Sequence, residues 1–159
     1  MKAFINIINN ILRLVLAVLV GAMVVVCCWQ VITRFVLNSP SKYTEEILRY
    51  ALIWLTMLGA PYAYGANKQL SIDLLVANFT AKGQTQTKIF VEIIVLLLSA
   101  AVFVYGGIAV TLNASGQISA AMKLPMEMYY ACIPIGGALM ILYSIDRLFA
   151  EIQELKGGK

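Results

Sequence analysis

The sequence contains no histidine and little charge, and these two absences exclude several classes of protein. Histidine is the commonest metal ligand and general base, and none of the 159 residues is a histidine. Aspartate, glutamate, lysine and arginine together make up 13% of the chain, against about 25% in soluble domains. The chain therefore cannot ligate haem through histidine, and it does not have the composition of a soluble globular domain.

Cysteine is also scarce, and its three residues have no metal or redox spacing. Cys27 and Cys28 are adjacent and Cys132 lies far away, so no CxxC motif is present. We interpret all three as small apolar packing residues. The eight acidic residues lie near the ends of apolar runs or in loops, with no nucleophile and base beside them. The sequence thus predicts neither an enzyme nor a metal or other cofactor site.

Apolar residues dominate what remains, at 61% of the chain with a mean hydropathy of +0.84. A membrane-spanning helix needs roughly 20 mostly apolar residues, and four runs meet that length. They are residues 14–35, 47–66, 89–112 and 128–148. We predict an all-α integral membrane protein in which residues 1–159 form a single four-helix domain.

The first apolar run could belong to a signal peptide, because Lys2 and Arg13 precede it. The run is longer than the usual signal-peptide core, and Cys27, Cys28 and Trp29 do not form a small-residue cleavage site. We interpret it as an uncleaved first span. With four spans, eight of the twelve lysines and arginines lie on the side of both termini. The positive-inside rule then predicts cytoplasmic termini, and the net charge of +4 requires no nucleic-acid partner.

Two short amphipathic segments are predicted at the membrane surface. Residues 3–13 carry an apolar stripe of Phe4, Ile7, Ile8 and Ile11 opposite polar asparagines. Residues 71–80 place four apolar side chains at helical spacing between Ser71, which can cap a helix, and Lys82-Gly83. We expect a short horizontal helix at each position, and the alternative for the second is a loop with some apolar residues.

Small residues mark the edges along which helices can approach closely. Gly59 and the alanines that follow it lie in the second span, Gly106-Gly107 in the third and Gly136-Gly137 in the fourth. Close packing of small residues drives helix association in lipid. The spans otherwise look smooth, and we find no polar side chains lining the middle of any of them, as a transport site would need. This pattern predicts a scaffold or accessory subunit.

Glu92 is the one acidic residue that enters a span. Intramembrane acids are functional candidates by default, as in proton-coupled exporters. Glu92 lies about one turn inside, however, and Lys88 precedes it by four residues and can pair with it. An interfacial ion pair and a transport site therefore both remain possible at this position.

A dense charge cluster separates the first two spans. Glu45 and Glu46 lie in the first turn of the second span, where they complement the helix dipole, and Arg49 is spaced to pair with either. Arg34 ends the first span and can reach outward to water or pair inward with one of these acids. We predict that Arg34, Glu45, Glu46 and Arg49 fix the outer geometry of the subunit. The alternative is ordinary anchoring of helix ends.

These residues, in this order, resemble a known family. The segment WQVITRFVLNSPSKYTEEILRYALIWLTMLGAPYAYGANKQLSIDLL, residues 29–75, is similar to the small membrane subunit of tripartite ATP-independent periplasmic (TRAP) transporters, and the likeness extends over residues 11–148. The matching positions are Arg34 and Phe35, Glu45 and Glu46, Trp54 and Gly59, Ile72 and Asp73, and finally Pro134 and Gly136. The family often has histidine just before the Ile-x-Ile-Asp segment, where this chain has Gln69.

The resemblance implies an accessory subunit of a transporter in the bacterial inner membrane. Its partners would be a large membrane subunit that carries the substrate and sodium sites, a periplasmic binding protein that docks transiently, and membrane lipids. The substrate would be an organic acid, of the sialic acid or C4-dicarboxylate type. Two alternatives remain: a stand-alone four-helix exporter of small molecules that uses Glu92, and an assembly subunit of another membrane complex.

Overall fold

The structure is a computed structural model that describes residues 2–37, 41–66 and 81–157, and nearly all of this part is helical. Helix α1 is Lys2–Phe35, α2 is Lys42–Gly65 and α3 is Ala81–Leu98. A π-helical segment, Ser99–Gly106, follows α3 directly and continues into α4, Gly107–Asn113. The single turn α5, Glu127–Tyr130, leads into α6, Cys132–Gly157. The predicted horizontal helix at residues 71–80, with Asp73, and Gln69 lie outside the described residues.

Helix α1 is continuous from Lys2 to Phe35, so our prediction of a separate surface helix at residues 3–13 is wrong. Tertiary contacts hold its first turns in line with the rest. Leu12 is buried against α2 and α6, and the Tyr143 hydroxyl donates a hydrogen bond of 2.5 Å to Asn9 Oδ1. Neither glycine nor proline interrupts the helix before Gly21. Where this end lies relative to the membrane surface stays a prediction.

The third span is longer and less regular than predicted. Helical structure runs from Ala81 to Asn113 without a gap, and its middle, Ser99–Gly106, is a π-helix. Our description of smooth spans without internal polar groups is therefore wrong here, since Ser99 is buried in the middle of this span. The π-helical turns place Phe103 and Val104 against Gly137 of α6. Such π-helical turns are rare and occur mostly as short bulges inside α-helices.

Within residues 2–37, 41–66 and 81–157, three helical stretches are long and apolar enough to cross a membrane: Ile5–Phe35, Gln86–Asn113 and Glu127–Gln153. They contain the predicted first, third and fourth spans. Helix α2, which contains the predicted second span, is not among them, although its 24 residues would extend about 36 Å at 1.5 Å per residue. Its hydropathy is reduced by tyrosine, threonine, glycine and the charged residues of its first two turns. The described part of the chain thus contains three candidate membrane helices.

Helices α2 and α6 pack side by side and form the centre of the bundle. Their crossing is close because Gly136 lies directly over the backbone of Met57, where a side-chain methyl group would overlap the Met57 carbonyl oxygen. Gly107 makes a similar approach to Ile133 and Pro134. The buried core beside these crossings consists of Leu12, Leu58, Tyr64 and Tyr143. The predicted packing role of Gly136 and of Gly106-Gly107 is confirmed at Gly136 and Gly107.

Candidate functional site: two buried carboxylates at the ends of the bundle

The first site, the Glu46 cluster, joins the start of α2 to the loop between α4 and α5. Glu46 is buried, with 8% of its surface exposed. Its Oε2 accepts hydrogen bonds from the backbone N–H groups of Ala121 and Met122, at 2.9 and 3.0 Å. Its Oε1 accepts from the Tyr50 hydroxyl at 2.8 Å and from the Ser119 hydroxyl. One carboxylate therefore satisfies four donors.

The loop that Glu46 binds is a small hairpin, residues 114–126. Ile118 and Pro125 form an isolated antiparallel bridge, and the Ser119 N–H donates to the Leu124 carbonyl at 2.9 Å. Lys123 closes the turn with a φ of 53°, a left-handed conformation that is uncommon outside glycine and asparagine. Because Glu46 accepts hydrogen bonds from the backbone N–H groups of the turn, it offsets part of the backbone strain at Lys123.

Aromatic packing supports the same corner. Tyr50 lies one turn after Glu46 and stacks on Tyr129, with ring centroids 3.3 Å apart and an angle of 14° between the rings. The Ser119 hydroxyl lowers the pKa of Glu46 most strongly, burial raises it, and Tyr50 and the two backbone N–H groups lower it further. The net result is a pKa below the ordinary value of 4.5. Glu46 is thus held as a carboxylate.

We predict that Glu46→Leu loosens the hairpin while the adjacent Glu45→Leu leaves it ordered. The amides of Ala121 and Met122 should exchange hydrogen roughly tenfold faster, because charge-assisted hydrogen bonds are about twice as strong as neutral ones. Hydrogen exchange with mass spectrometry measures this. In the unsubstituted chain, protection should persist above pH 4.5 and be lost only as pH falls through the lowered pKa. Equal protection in Glu46→Leu would contradict the assignment.

The four-residue charge cluster predicted from the sequence is only partly assembled. Arg49 pairs with Glu45 at 3.2 Å, as predicted, but both side chains are mostly exposed. Glu46 turns away and binds the hairpin. Arg34 lies with its guanidinium 5.9 Å from the Phe35 ring centroid, and neither acid pairs with it. The suggested Arg34 link between the first two helices is therefore wrong, because Glu46 instead accepts from three hairpin donors and from the Tyr50 hydroxyl.

The second site, the Glu92 cluster, joins α2, α3 and α6. Glu92 is 4% exposed. Its Oε2 accepts from the Ser144 hydroxyl at 2.8 Å and from the Tyr64 hydroxyl, and its Oε1 lies 3.4 Å from Arg147 Nη1. The Arg147 guanidinium also donates a hydrogen bond of 2.7 Å to the Tyr64 carbonyl, and it lies 4.3 Å from the centroid of the Tyr64 ring. Arg147 thereby donates to a carbonyl in the last turn of α2, where helix carbonyls lack intrahelical partners.

Sequence reasoning identified Glu92 and missed its partners Tyr64, Ser144 and Arg147. A signal was present: if consecutive spans alternate in direction, the start of the third span and the end of the fourth lie at one membrane face. Glu92 and Arg147 occupy those two ends with opposite charge. Sequence reasoning also missed Ser119, which lies in a predicted loop without any charged neighbour.

The remaining predicted site residues lie in the packing of the bundle. Trp54 packs half-buried against the core. Gly59 faces α1, where an added methyl group would meet only Leu16, 4.0 Å away. Pro134 contacts Gly107, and Gly136 contacts Met57. The contacts described for these four residues are packing contacts within the bundle and do not include Glu46 or Glu92.

Comparison with known proteins places this architecture in a family. The model of the DctQ component of tripartite ATP-independent periplasmic transporters matches residues 23–154. The chain is 27% identical to the sialic acid TRAP transporter small permease protein SiaQ of Vibrio cholerae, over 99% of this chain and 90% of the relative. It is 28% identical to a putative TRAP transporter small permease protein of Haemophilus influenzae, over 96% and 94%.

A longer relative is also similar. The sialic acid TRAP transporter permease protein SiaT of Haemophilus influenzae is 27% identical over 82% of this chain, which is 20% of that protein. The family match over most of the chain, with three apolar helices of membrane-spanning length, confirms a multi-pass bacterial membrane protein. The chain belongs to the DctQ family, the small membrane subunits of TRAP transporters.

Proposed function

We propose that this chain is an immobile scaffold subunit, and that a large membrane subunit beside it carries an organic anion and sodium ions across the bacterial inner membrane. In this role the chain needs no enzymatic activity and no cofactor of its own. It supplies a rigid bundle against which the large subunit moves. The observation that supports this proposal best is the set of hydrogen bonds and the ion pair that hold Glu92.

Glu92 is engaged by fixed partners from two other helices, Tyr64, Ser144 and Arg147. An acid that couples transport must be reached by water or by a cation and must exchange partners during the cycle. A carboxylate that accepts two hydroxyl hydrogen bonds and pairs with an arginine instead keeps the same partners. This arrangement favours the scaffold over the exporter that uses Glu92.

We further propose that α2 is a fourth span, which places both termini in the cytoplasm. Helix α2 packs between α1 and α6, and Leu58, Pro61 and Tyr64 are buried. A helix whose surface faces other helices can carry tyrosine and glycine that a lipid-exposed helix would avoid. Its lower hydropathy is then a consequence of its central position.

A large partner is supported by the long relative. A segment that resembles 82% of this chain occupies 20% of that permease chain, so in that protein the two parts are covalently joined. A second relative, the isethionate TRAP transporter permease protein DctMQ of Oleidesulfovibrio alaskensis, repeats the pattern with 18% of its length. We therefore propose a stoichiometric complex of this chain with a large permease.

The substrate class follows from the relatives and not from this chain. Two of them are named for sialic acid and one for isethionate, and both compounds are organic anions. We propose an organic anion of the sialic acid type, with a C4-dicarboxylate as the second candidate. A periplasmic binding protein would deliver it to the outer face, where the Glu46 cluster keeps the hairpin of residues 114–126 in a fixed shape.

Purification of tagged chain from its native membrane in mild detergent, with mass spectrometry of what accompanies it, tests this proposal. We expect a large, many-spanned membrane protein at a one-to-one ratio. Recovery of the chain alone, or as a small homo-oligomer, would overturn the proposal and favour the exporter.

A further inference from the structure

Two cavities meet at the exposed Glu45 and Arg49 pair. The first is a groove of about 580 Å³ between α1 and α2. Apart from that ion pair its walls are apolar, and they include Val20, Val24 and Cys27 of α1 with Leu48, Leu52 and Leu55 of α2. It runs along the helices for about seven residues, or roughly 10 Å. Its shape and lining suit a hydrocarbon chain.

The second cavity lies beyond the ion pair, and four charged side chains border it together with apolar residues. It has a volume of about 390 Å³ and is bounded by Lys42, Glu45, Arg49 and the hairpin residue Ala121. Glu46 also borders it, but its oxygens are already occupied by the hairpin. The charges left to face a ligand are therefore Lys42 and Arg49, with Glu45 between them. An anionic group with a cationic group beside it would complement this set.

We propose that these two cavities form one phospholipid site in the outer leaflet. The phosphate meets Arg49 and Lys42, a headgroup amine meets Glu45, and one acyl chain lies in the groove between α1 and α2. Phosphatidylethanolamine carries both headgroup charges and fits best. The assignment of this site to the outer leaflet rests on the topology proposed above. The proposal of a lipid site itself requires only that the chain lies in a membrane.

The apolar groove alone would fit a helix of a partner as well as a lipid. The charges at the end of the groove favour the lipid over a partner helix. The groove ends on Arg49 and Glu45, which are 69% and 64% exposed and pair with each other along one helix. A partner helix that covered the groove would bury this ion pair, and burial of charges without further hydrogen bonds is costly. A lipid leaves both charges at the headgroup level, where they remain hydrated.

Native mass spectrometry of the full chain, purified with its membrane partner, tests the proposal. After delipidation, the complex is titrated with phosphatidylethanolamine, phosphatidylglycerol or diacylglycerol, which lacks phosphate. We expect phosphatidylethanolamine to bind most tightly and diacylglycerol not to bind. Val24→Phe should fill the groove and Arg49→Gln should remove the phosphate contact, and each should weaken binding about tenfold or more.

Matched controls separate this site from general lipid contact. The first control is Val25→Phe, because Val25 lies beside Val24 on α1, is 69% exposed and does not line the groove. The second control is Arg13→Gln, which removes an arginine far from the groove. Equal loss in these controls, or no loss in the groove variants, would overturn the proposal. A photo-reactive aliphatic diazirine amino acid at position 24, close in size to leucine and therefore able to leave the groove open, should gain the mass of one phospholipid. Its capture of a partner protein would show that a helix fills the groove.

Discussion

Gly136→Ala should be among the most damaging single substitutions in this chain. The added methyl group would overlap the carbonyl oxygen of Met57, and that oxygen belongs to the backbone of α2 and cannot rotate away. The two central helices would have to separate. Overpacking of a close contact costs about 1–3 kcal/mol, and backbone contacts lie at the upper end. We expect a corresponding loss in the free energy of unfolding measured in mild detergent.

Gly59→Ala provides the matched control for that experiment. It adds the same methyl group to α2, but the nearest atom is Leu16 Cδ2 at 4.0 Å, which is ordinary contact. Its stability should stay within about 0.5 kcal/mol of the unsubstituted chain, as for most substitutions without a special contact. If both glycines tolerated alanine equally, the close crossing of α2 and α6 would be wrong.

Breaking the Glu92 and Arg147 pair should cost more than any exposed charge substitution. The two side chains are 6% and 21% exposed, and removal of one member of a buried pair typically costs about 3–5 kcal/mol because the other is left uncompensated. Glu92→Leu, Arg147→Met and the double variant form a thermodynamic cycle. We expect the double variant to be less destabilised than the sum, with a coupling of about 1–3 kcal/mol.

The exposed pair of Glu45 and Arg49 supplies the comparison. Its geometry is similar, at 3.2 Å, but both side chains are open to solvent. The same cycle there should give a coupling below about 1 kcal/mol. Equal coupling energies at the two sites would mean that burial does not distinguish them, and the structural role assigned to Glu92 would fail.

The sequence predicted the helices much better than the contacts between them. Hydropathy places apolar runs well, because a spanning helix is a property of about 20 consecutive residues. It did not reveal that α1 continues to Lys2, since the contacts that keep it straight come from Tyr143, 134 residues away. The π-helical segment was also missed; its Phe103 lies against Gly137 of α6, a contact between distant residues that local periodicity does not show.

The charged residues show the same limit. Local spacing offered Arg49 either Glu45 or Glu46 as a partner, and the ion pair forms with Glu45, four residues away. It could not find the partners of Glu46, because the hairpin donors lie 73 to 76 residues further along the chain. The small residues were easier to interpret, since a glycine such as Gly136 in a membrane helix has few roles other than close approach.

The central claim is that this chain supports transport without carrying the substrate or the coupling ion, and Glu92→Gln tests it most directly. The complex, with either the unsubstituted chain or this variant, would be reconstituted in liposomes with its binding protein. Uptake of the organic anion would then be measured per assembled complex under a sodium gradient. We predict lower stability, because the ion pair is lost, but unchanged uptake for each complex that assembles. Abolished uptake in complexes that remain intact would contradict the claim and make Glu92 a transport residue.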